Sequence, residues 1–165
     1  MKPRALGGLA ALAVLILDQA SKHWLLYGLG MQDHERMAIA PFLDFELLWN
    51  PGISFSLFPQ GTPAGRWILL LLTLAATVLL SVWLWRVNSR LGGLGLGAIV
   101  GGALGNGYDR FTYNAVVDFL DFHLAGYHFY VFNVADSAIT LGVALLLYDG
   151  LFASLRAPPL AETES

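Results

Sequence analysis

Hydrophobic residues gather in four long stretches with polar punctuation between them. Ala5–Leu17 is apolar apart from two glycines, and beyond Asp18, Gln19, Ser21 and Lys22 the apolar pattern resumes at Trp24–Tyr27. With Lys2 and Arg4 ahead of it, such a run could be a cleavable signal peptide. The return to apolar residues and the lack of a small-x-small cleavage pattern favour one retained helix over about 5–29. At 1.5 Å per residue that length covers a hydrocarbon core of ~30 Å. A second span is expected over about 67–87, followed by the tight polar turn Asn88-Ser89-Arg90. A third, rich in glycine, covers about 91–109, and a fourth about 133–155. The polar tail 157–165 is expected to be disordered.

The two longer connections, about 30–66 and 110–132, fall on the same side of this up-down order. In the first, Phe42–Trp49 alternates, with Leu43, Phe45, Leu47 and Trp49 on one face and Asp44, Glu46 and Asn50 on the other. That is strand periodicity. Pro51-Gly52 then turns the chain, and Ile53–Phe58 can run back as a partner. The expected fold is a membrane all-α protein with a small β element: one domain over 1–156, with four transmembrane helices and a short sheet or cradle on the outer membrane face. The aromatic segment Phe42–Phe58 suits either a clamp over a substrate or an interfacial anchor.

Composition sharpens this picture. The 165 residues are 56% hydrophobic and 13% charged, against about 25% charged in an ordinary soluble domain. Much of the surface therefore faces something other than water. Nine Lys+Arg against twelve Asp+Glu give no pull toward nucleic acid. Lys2, Arg4, Arg86, Arg90 and Arg156 lie on the side of the termini, and Lys22, Arg36, Arg66 and Arg110 on the other. The positive-inside rule thus leans toward cytoplasmic termini, the more so because Lys22 and Arg110 adjoin acids and read as site residues.

Gly93, Gly97, Gly101 and Gly105 recur every fourth residue, a small-residue stripe along which another helix can approach closely. Asp109 is the next position on that stripe and should face the partner helix. Ionisable residues at membrane depth are costly, yet Asp18 and Lys22 (i,i+4), Asn106, Asp109 and Arg110, and Asn133 and Asp136 (i,i+3) all fall at the outer ends of their spans. Their common depth points to one shared polar pocket.

The chemistry open to that pocket is narrow. With no Cys, a thiol nucleophile and disulfides are excluded. No Gly-x-Ser-x-Gly elbow occurs, and His23, His34, His123 and His128 lack His-Glu-x-x-His spacing. His123 and His128 read as interfacial residues. Carboxylate chemistry remains: two Asp side chains sharing one proton can act as base and acid together. Asp18, Asp109, Asp118, Asp121 and Asp136 are candidates, and spacing alone does not choose the pair.

Five blocks, in order, resemble the lipoprotein signal peptidase (signal peptidase II) family: Asp18-Gln-Ala-Ser-Lys22, Asn50-Pro-Gly-Ile-Ser-Phe55, Gly101-Gly-Ala-Leu-Gly-Asn-Gly-Tyr-Asp-Arg110, Val116-Val-Asp-Phe-Leu-Asp-Phe122 and Phe132-Asn-Val-Ala-Asp-Ser-Ala-Ile139. The resemblance implies an aspartic endopeptidase of the bacterial inner membrane, with Asp118 and Asp136 as the catalytic dyad. Asn133 would hold hydrogen bonds in the pocket. Asp18, Lys22, Asn50, Gly52, Asn106, Asp109 and Arg110 would shape the site and hold substrate. The implied substrates are prolipoproteins whose Cys already carries diacylglycerol, cut just before that Cys. Water is the nucleophile, so no cofactor or metal is expected. Membrane lipid and the antibiotic globomycin are the other expected partners, and a monomer is expected. Three rivals fit less well. A small transporter should show an internal repeat between halves. A presenilin-type protease lacks its second motif, since Ala98 follows Gly95-Leu-Gly97. A non-enzymic assembly factor would use the polar groups only as glue.

Overall fold

The computed structural model of the protein describes residues 1–52 and 63–156. The expected return segment 53–58 and the tail 157–165 lie outside the described residues. Helix α1, Pro3–His23, runs straight into a π-helical turn, Trp24–Leu29. Gly30, at φ 68°, ends it in the left-handed conformation that glycine adopts without a Cβ clash. Strands β1 (Arg36–Ala40) and β2 (Leu43–Asn50) follow, then helices α2 (Pro63–Arg86) and α3 (Arg90–Tyr113). A hairpin of β3 (Val116–Leu124) and β4 (Tyr127–His128) precedes helix α4 (Val134–Arg156). The four helices overlie the four apolar stretches, but α2 starts a turn earlier and α3 continues a turn further than the bounds read from sequence.

Helix α3 is the element on which the others pack, and its glycines explain why. A Cβ on Gly93 would meet the carbonyl of Pro3, one on Gly97 the backbone of Gly7, and one on Gly101 the backbone of Ala11. The stripe is therefore the α1 contact face, and backbone meets backbone along it. At the next position Gly105 faces the carboxylate of Asp18. A second glycine face is turned to α4: Gly95 lies against the carbonyl of Gly142, and Gly102 against that of Ala135. With no side chains in the way, two helices close on α3 at once. The same glycines weaken its apolar signature. Among the described residues, three helical segments, Pro3–Leu29, Trp67–Arg86 and Val134–Phe152, are long and apolar enough to cross a membrane. Helix α3 is as long but carries eight glycines in Arg90–Tyr113. Each of these adds length without adding apolar surface.

The contacts sort into two ends. At one, Ser89 caps α3 through Gly92 N–H and donates to Asp149 of α4 at 2.6 Å, and the Arg4 guanidinium lies over the Trp85 ring. At the other end sits the antiparallel sheet, in the order β1-β2-β3-β4. Its inner face packs Leu47, Val117 and Phe119 on Leu25 and Met31 of the chain leaving α1. The expected alternation of β2 fails at one point. Phe45 pairs with Leu120 and Leu48 with Asp118, so Glu46 and Leu47 together face the single residue Phe119. This β-bulge shifts the alternation by one residue. Asn50 consequently shares by register the face of Leu43 and Phe45, not that of Asp44, and it comes beside Asp118. Strand β3 also grips the chain entering α4: Phe132 N donates to Leu120 O at 3.1 Å, and Phe132 O accepts from Phe119 N and Leu120 N.

Replacing Gly97 by Ala forces a methyl group into the Gly7 backbone and is expected to lower stability by about 1–3 kcal/mol, the usual range for overpacking. Gly8→Ala, which has open space around its Cβ, serves as control. Thermal unfolding of both variants in detergent checks this, and equal melting temperatures would refute the close α1–α3 contact.

Candidate active site

A buried lysine organises the base of the site. Asp18, Lys22 and Asp109 are 0%, 2% and 0% exposed. Lys22 Nζ lies 2.8 Å from Asp18 Oδ2 and 2.7 Å from Asp109 Oδ2. Both carboxylates are also held by other elements. Asp18 Oδ1 accepts from Ala135 N in the first turn of α4 at 2.9 Å, and Asp109 Oδ2 accepts from Val117 N at the start of β3 at 3.2 Å. Gln19 Nε2 donates to Asp109 Oδ1 at 2.9 Å. A buried ion pair without such extra bonds would not recover its desolvation cost.

Above this triad, three asparagine amides form one hydrogen-bond network. Asn106 Oδ1 accepts from Lys22 Nζ and from Asn133 Nδ2, each at 3.1 Å, and Asn106 Nδ2 donates to Asp136 Oδ1 at 2.8 Å. Asn133 Nδ2 donates to Asp118 Oδ1 at 2.7 Å, while Asn133 Oδ1 accepts from Asp136 N at 2.9 Å and Asn133 N donates to Asp136 Oδ2 at 3.3 Å. The last two bonds are a reciprocal capping box at the start of α4. Asn50 Oδ1 accepts from Gly52 N, which turns its Nδ2 toward Asp118 Oδ2 and the Tyr130 hydroxyl, both at 2.9 Å.

Asp118 and Asp136 thus meet around Asn133, although they come from a strand and a helix. Asp118 is 1% exposed and Asp136 is half-buried. Both are held by neutral amide donors, which fix a carboxylate without neutralising it. Burial is the main force on Asp118 and pushes its carboxyl up to about 6. The bond from Asn50 opposes this rise, the nearby charge of Asp136 adds to it, and the bond from Asn133 opposes it. A carboxyl whose proton affinity is raised to about 6, beside a second carboxyl on a shared network, is an arrangement suited to general acid–base hydrolysis by water.

Comparison with known proteins agrees with this chemistry. The family model described as Signal peptidase (SPase) II matches residues 10–152. The chain belongs to the signal peptidase II family. It is 49% identical to the lipoprotein signal peptidase of Beijerinckia indica subsp. indica over 164 residues, 99% of this chain and 98% of that protein. It is 52% identical to the lipoprotein signal peptidase of Methylocella silvestris over 154 residues, 93% and 90% of the two chains. A bacterial membrane enzyme solved by the in meso method at 2.3 Å resolution has a similar fold, with a TM-score of 0.76, 28% identity and coverage of 96% of this chain and 93% of that one.

The residues singled out from the signal peptidase II motifs converge, but at two levels. Asn50, Gly52, Asn106, Asn133, Asp118 and Asp136 form the cleft network. Asp18, Lys22 and Asp109 are buried beneath it, where their bonds reach α1, α3, the start of β3 and the first turn of α4. Arg110 Nη1 reaches the carbonyl of Asn106 at 3.4 Å, and the guanidinium is near enough to Asp136 and Asp118 to feel both charges. Asp121, also a candidate from sequence, is three residues from Asp118 and so on the other face of β3. It pairs there with His128 Nδ1 at 2.7 Å and Arg36 Nη2 at 3.4 Å. Close by, Arg36 bonds Glu46, and His123 Nε2 lies 3.3 Å from Asp44. Gln19 and Tyr130 were not singled out from sequence. Gln19 stood inside the first motif and could have been found there. Tyr130, among the aromatics of 127–132, carried no distinguishing signal.

Lys22→Met removes the only ammonium between two enclosed carboxylates. It is expected to cost about 3–5 kcal/mol, the range for breaking a buried pair, and to abolish folded yield or lower the melting temperature sharply. Adding Asp18→Asn and Asp109→Asn should restore part of that loss. No recovery in the triple variant would show that the charges are not the cause.

Proposed function

We propose that Asp118 and Asp136 are the catalytic dyad of a lipoprotein signal peptidase that hydrolyses diacylglyceryl-modified prolipoproteins just before the lipidated Cys. One observation carries this reading: a single side chain, Asn133, donates to Asp118 and closes a reciprocal pair of bonds with Asp136. Asp118 holds the shared proton, because it is the more enclosed of the two. Asp136, in the first turn of α4, acts as the carboxylate.

Asp136 takes a proton from water as the water oxygen bonds to the scissile carbonyl carbon, and Asp118 gives its proton to the carbonyl oxygen. As the tetrahedral species collapses, the C–N bond breaks and Asp136 returns its proton to the departing amine of the lipidated Cys. Asp118 recovers a proton from one hydroxyl, which leaves the new carboxyl. Arg110 and Asn50 border the cleft and suit carbonyl groups of the bound peptide. Water is the nucleophile, and no metal or cofactor enters the scheme.

The same reading sets the enzyme in the bacterial inner membrane as a four-span bundle. Helix α3 is the fourth span, lined by α1 and α4. Both termini are cytoplasmic, and segments 30–66 and 110–132 form a periplasmic cradle. Support comes from the two ends of the bundle: the start of α1, the end of α4 and the α2–α3 turn lie at one, and the sheet and the dyad at the other. A substrate anchored by lipid in the outer leaflet reaches such a site sideways. Globomycin is expected to bind in the same cleft, and the monomer suffices, since every group in the scheme comes from one chain.

Asp118→Asn and Asp136→Asn are each expected to lower cleavage of a lipidated precursor, followed by gel shift, by roughly 10²–10⁴-fold, with the melting temperature little changed. Wild-type cleavage by either variant would overturn the dyad. The raised pKa also has a defined sign. Asp118 keeps its proton to higher pH than a free carboxyl would, so kcat/KM should hold below about 6 and fall as pH rises through that value. A profile flat from pH 5 to pH 8 would contradict the assignment of the proton to Asp118.

A further inference from the structure

Among the described residues, two of the apolar hollows on the helical surface differ in whether they reach the dyad. The first, about 490 Å³, lies between α1, α2 and α3 and is lined by residues that include Leu15, Leu71, Thr77 and Leu104. None of the cleft-network residues contributes to it. The second, about 630 Å³, begins at Asp136 itself and runs along α4 past Thr140, Leu141 and Ala144, with Tyr130 and Phe132 at its upper end. That volume is within the usual range for a ligand site. From Asp136 to Ala144 the helix offers about 12 Å of wall.

The chemistry of this trench changes along its length. At the top are the Asp136 carboxylate, the Tyr130 hydroxyl, which accepts from Asn50, and Ser137, whose Oγ donates to Asn133 O at 3.0 Å. The Phe132 ring, stacked on Phe122 with centroids 5.6 Å apart, forms a flat apolar shoulder. Below them Thr140, Leu141 and Ala144 are exposed and have no side chain of another helix in the lining. A ligand for this surface must have a polar head beside the reacting carboxylate and an apolar tail within the bilayer.

We propose that the α4 trench is the acyl-chain subsite, in which the lipid carried by the residue after the scissile bond lies over Thr140, Leu141 and Ala144. The proposal rests on the reading of Asp136 as part of the cleavage centre. If the bond before a lipidated Cys is cut there, the glyceryl group is tethered within a few atoms of Asp136. Among the described residues, the α4 trench is a hollow that Asp136 itself lines, and the chains enter it. The groove between α1, α2 and α3 shares no such residue and is left to other apolar contacts.

The test uses full-length protein and two precursors, one carrying a dipalmitoylglyceryl and the other a dihexanoylglyceryl group. Ala144→Trp fills the lower trench without entering a packed helix interface. It should raise KM for the long-chain precursor roughly ten-fold, the loss of a few buried methylenes, and leave the short-chain precursor nearly unchanged. Leu71→Trp, in the other groove, should shift both precursors by the same factor. Equal effects of Ala144→Trp on both precursors, or none on either, would overturn the proposal. A second measurement needs no turnover. A long-chain precursor with a diazirine at the chain end, bound to the Asp118→Asn protein, should label residues 137–144. Labelling confined to 67–77 would place the lipid in the wrong hollow for this proposal even if both Asp variants are inactive. Conversely, labelling at 137–144 together with full activity of the Asp variants would remove the dyad and leave the subsite standing.

Discussion

The Lys22 ammonium, enclosed between the Asp18 and Asp109 carboxylates, is the constraint on which the rest of the site depends. Asp18 also holds the first turn of α4 through Ala135 N, and Asp109 holds the start of β3 through Val117 N. One cation therefore positions the two elements that bear Asp118 and Asp136. The arrangement has a direction. A lysine away from water cannot be left unpaired, and two carboxylates there cannot be left without it. The three helices must close in the one register that brings the charges together. The glycine faces of α3 are what allow that closure.

A separate problem is how carboxylates can be both fixed and reactive. A cation placed directly against either member of the Asp118–Asp136 pair would hold it firmly and strip it of proton affinity. Here the Lys22 ammonium stands one amide away, while the charge of Arg110 reaches both carboxylates from the side. Lys22 bonds Asn106, Asn106 bonds Asp136, and Asn133 joins both to Asp118. Each asparagine has its oxygen occupied by a donor, so its NH₂ group is aimed at a carboxylate with no freedom to flip. Part of this network costs no additional residues. The Asn133–Asp136 capping box satisfies orphan N–H groups that any helix start leaves exposed, and the Asp136 carboxyl is one of its two members.

The sheet separates two sets of polar groups. Asp118 lies on one face of β3 with Asn50. Asp121 lies on the other with His128, Arg36, Asp44 and His123, where ion pairs stitch the strands together. The β2 bulge decides which set Asn50 joins. Without the extra residue Asn50 would follow Asp44 by alternation, and Asp118 would lose one of its two amide donors. Helix α4 likewise serves two surfaces, since its first turn holds Asp136 in the polar network and its next turns form the apolar wall of the trench.

Sequence alone located the long helical stretches, though not their ends, because apolar runs of that length have few other uses, and the glycine stripe, because a period of four on a helix defines a face. It also determined that a carboxylate pocket lies at one depth, since polar residues in such runs survive only in company. The choice of Asp118 and Asp136 from five candidates came from resemblance in motif and not from pattern. Periodicity placed Asn50 with Asp44, and nothing local announced the bulge, which depends on the partner strand. Likewise, Asp121 and Asp118 look equivalent in Val116–Phe122 until the pairing of β3 assigns them to opposite faces. Asp18, Lys22 and Asp109 read as site residues, and only packing showed them sealed beneath it. Motif and period are properties of neighbours along the chain. Which side of a strand meets which helix, and which charge meets water, are properties of distant segments, and the tertiary structure alone decides them.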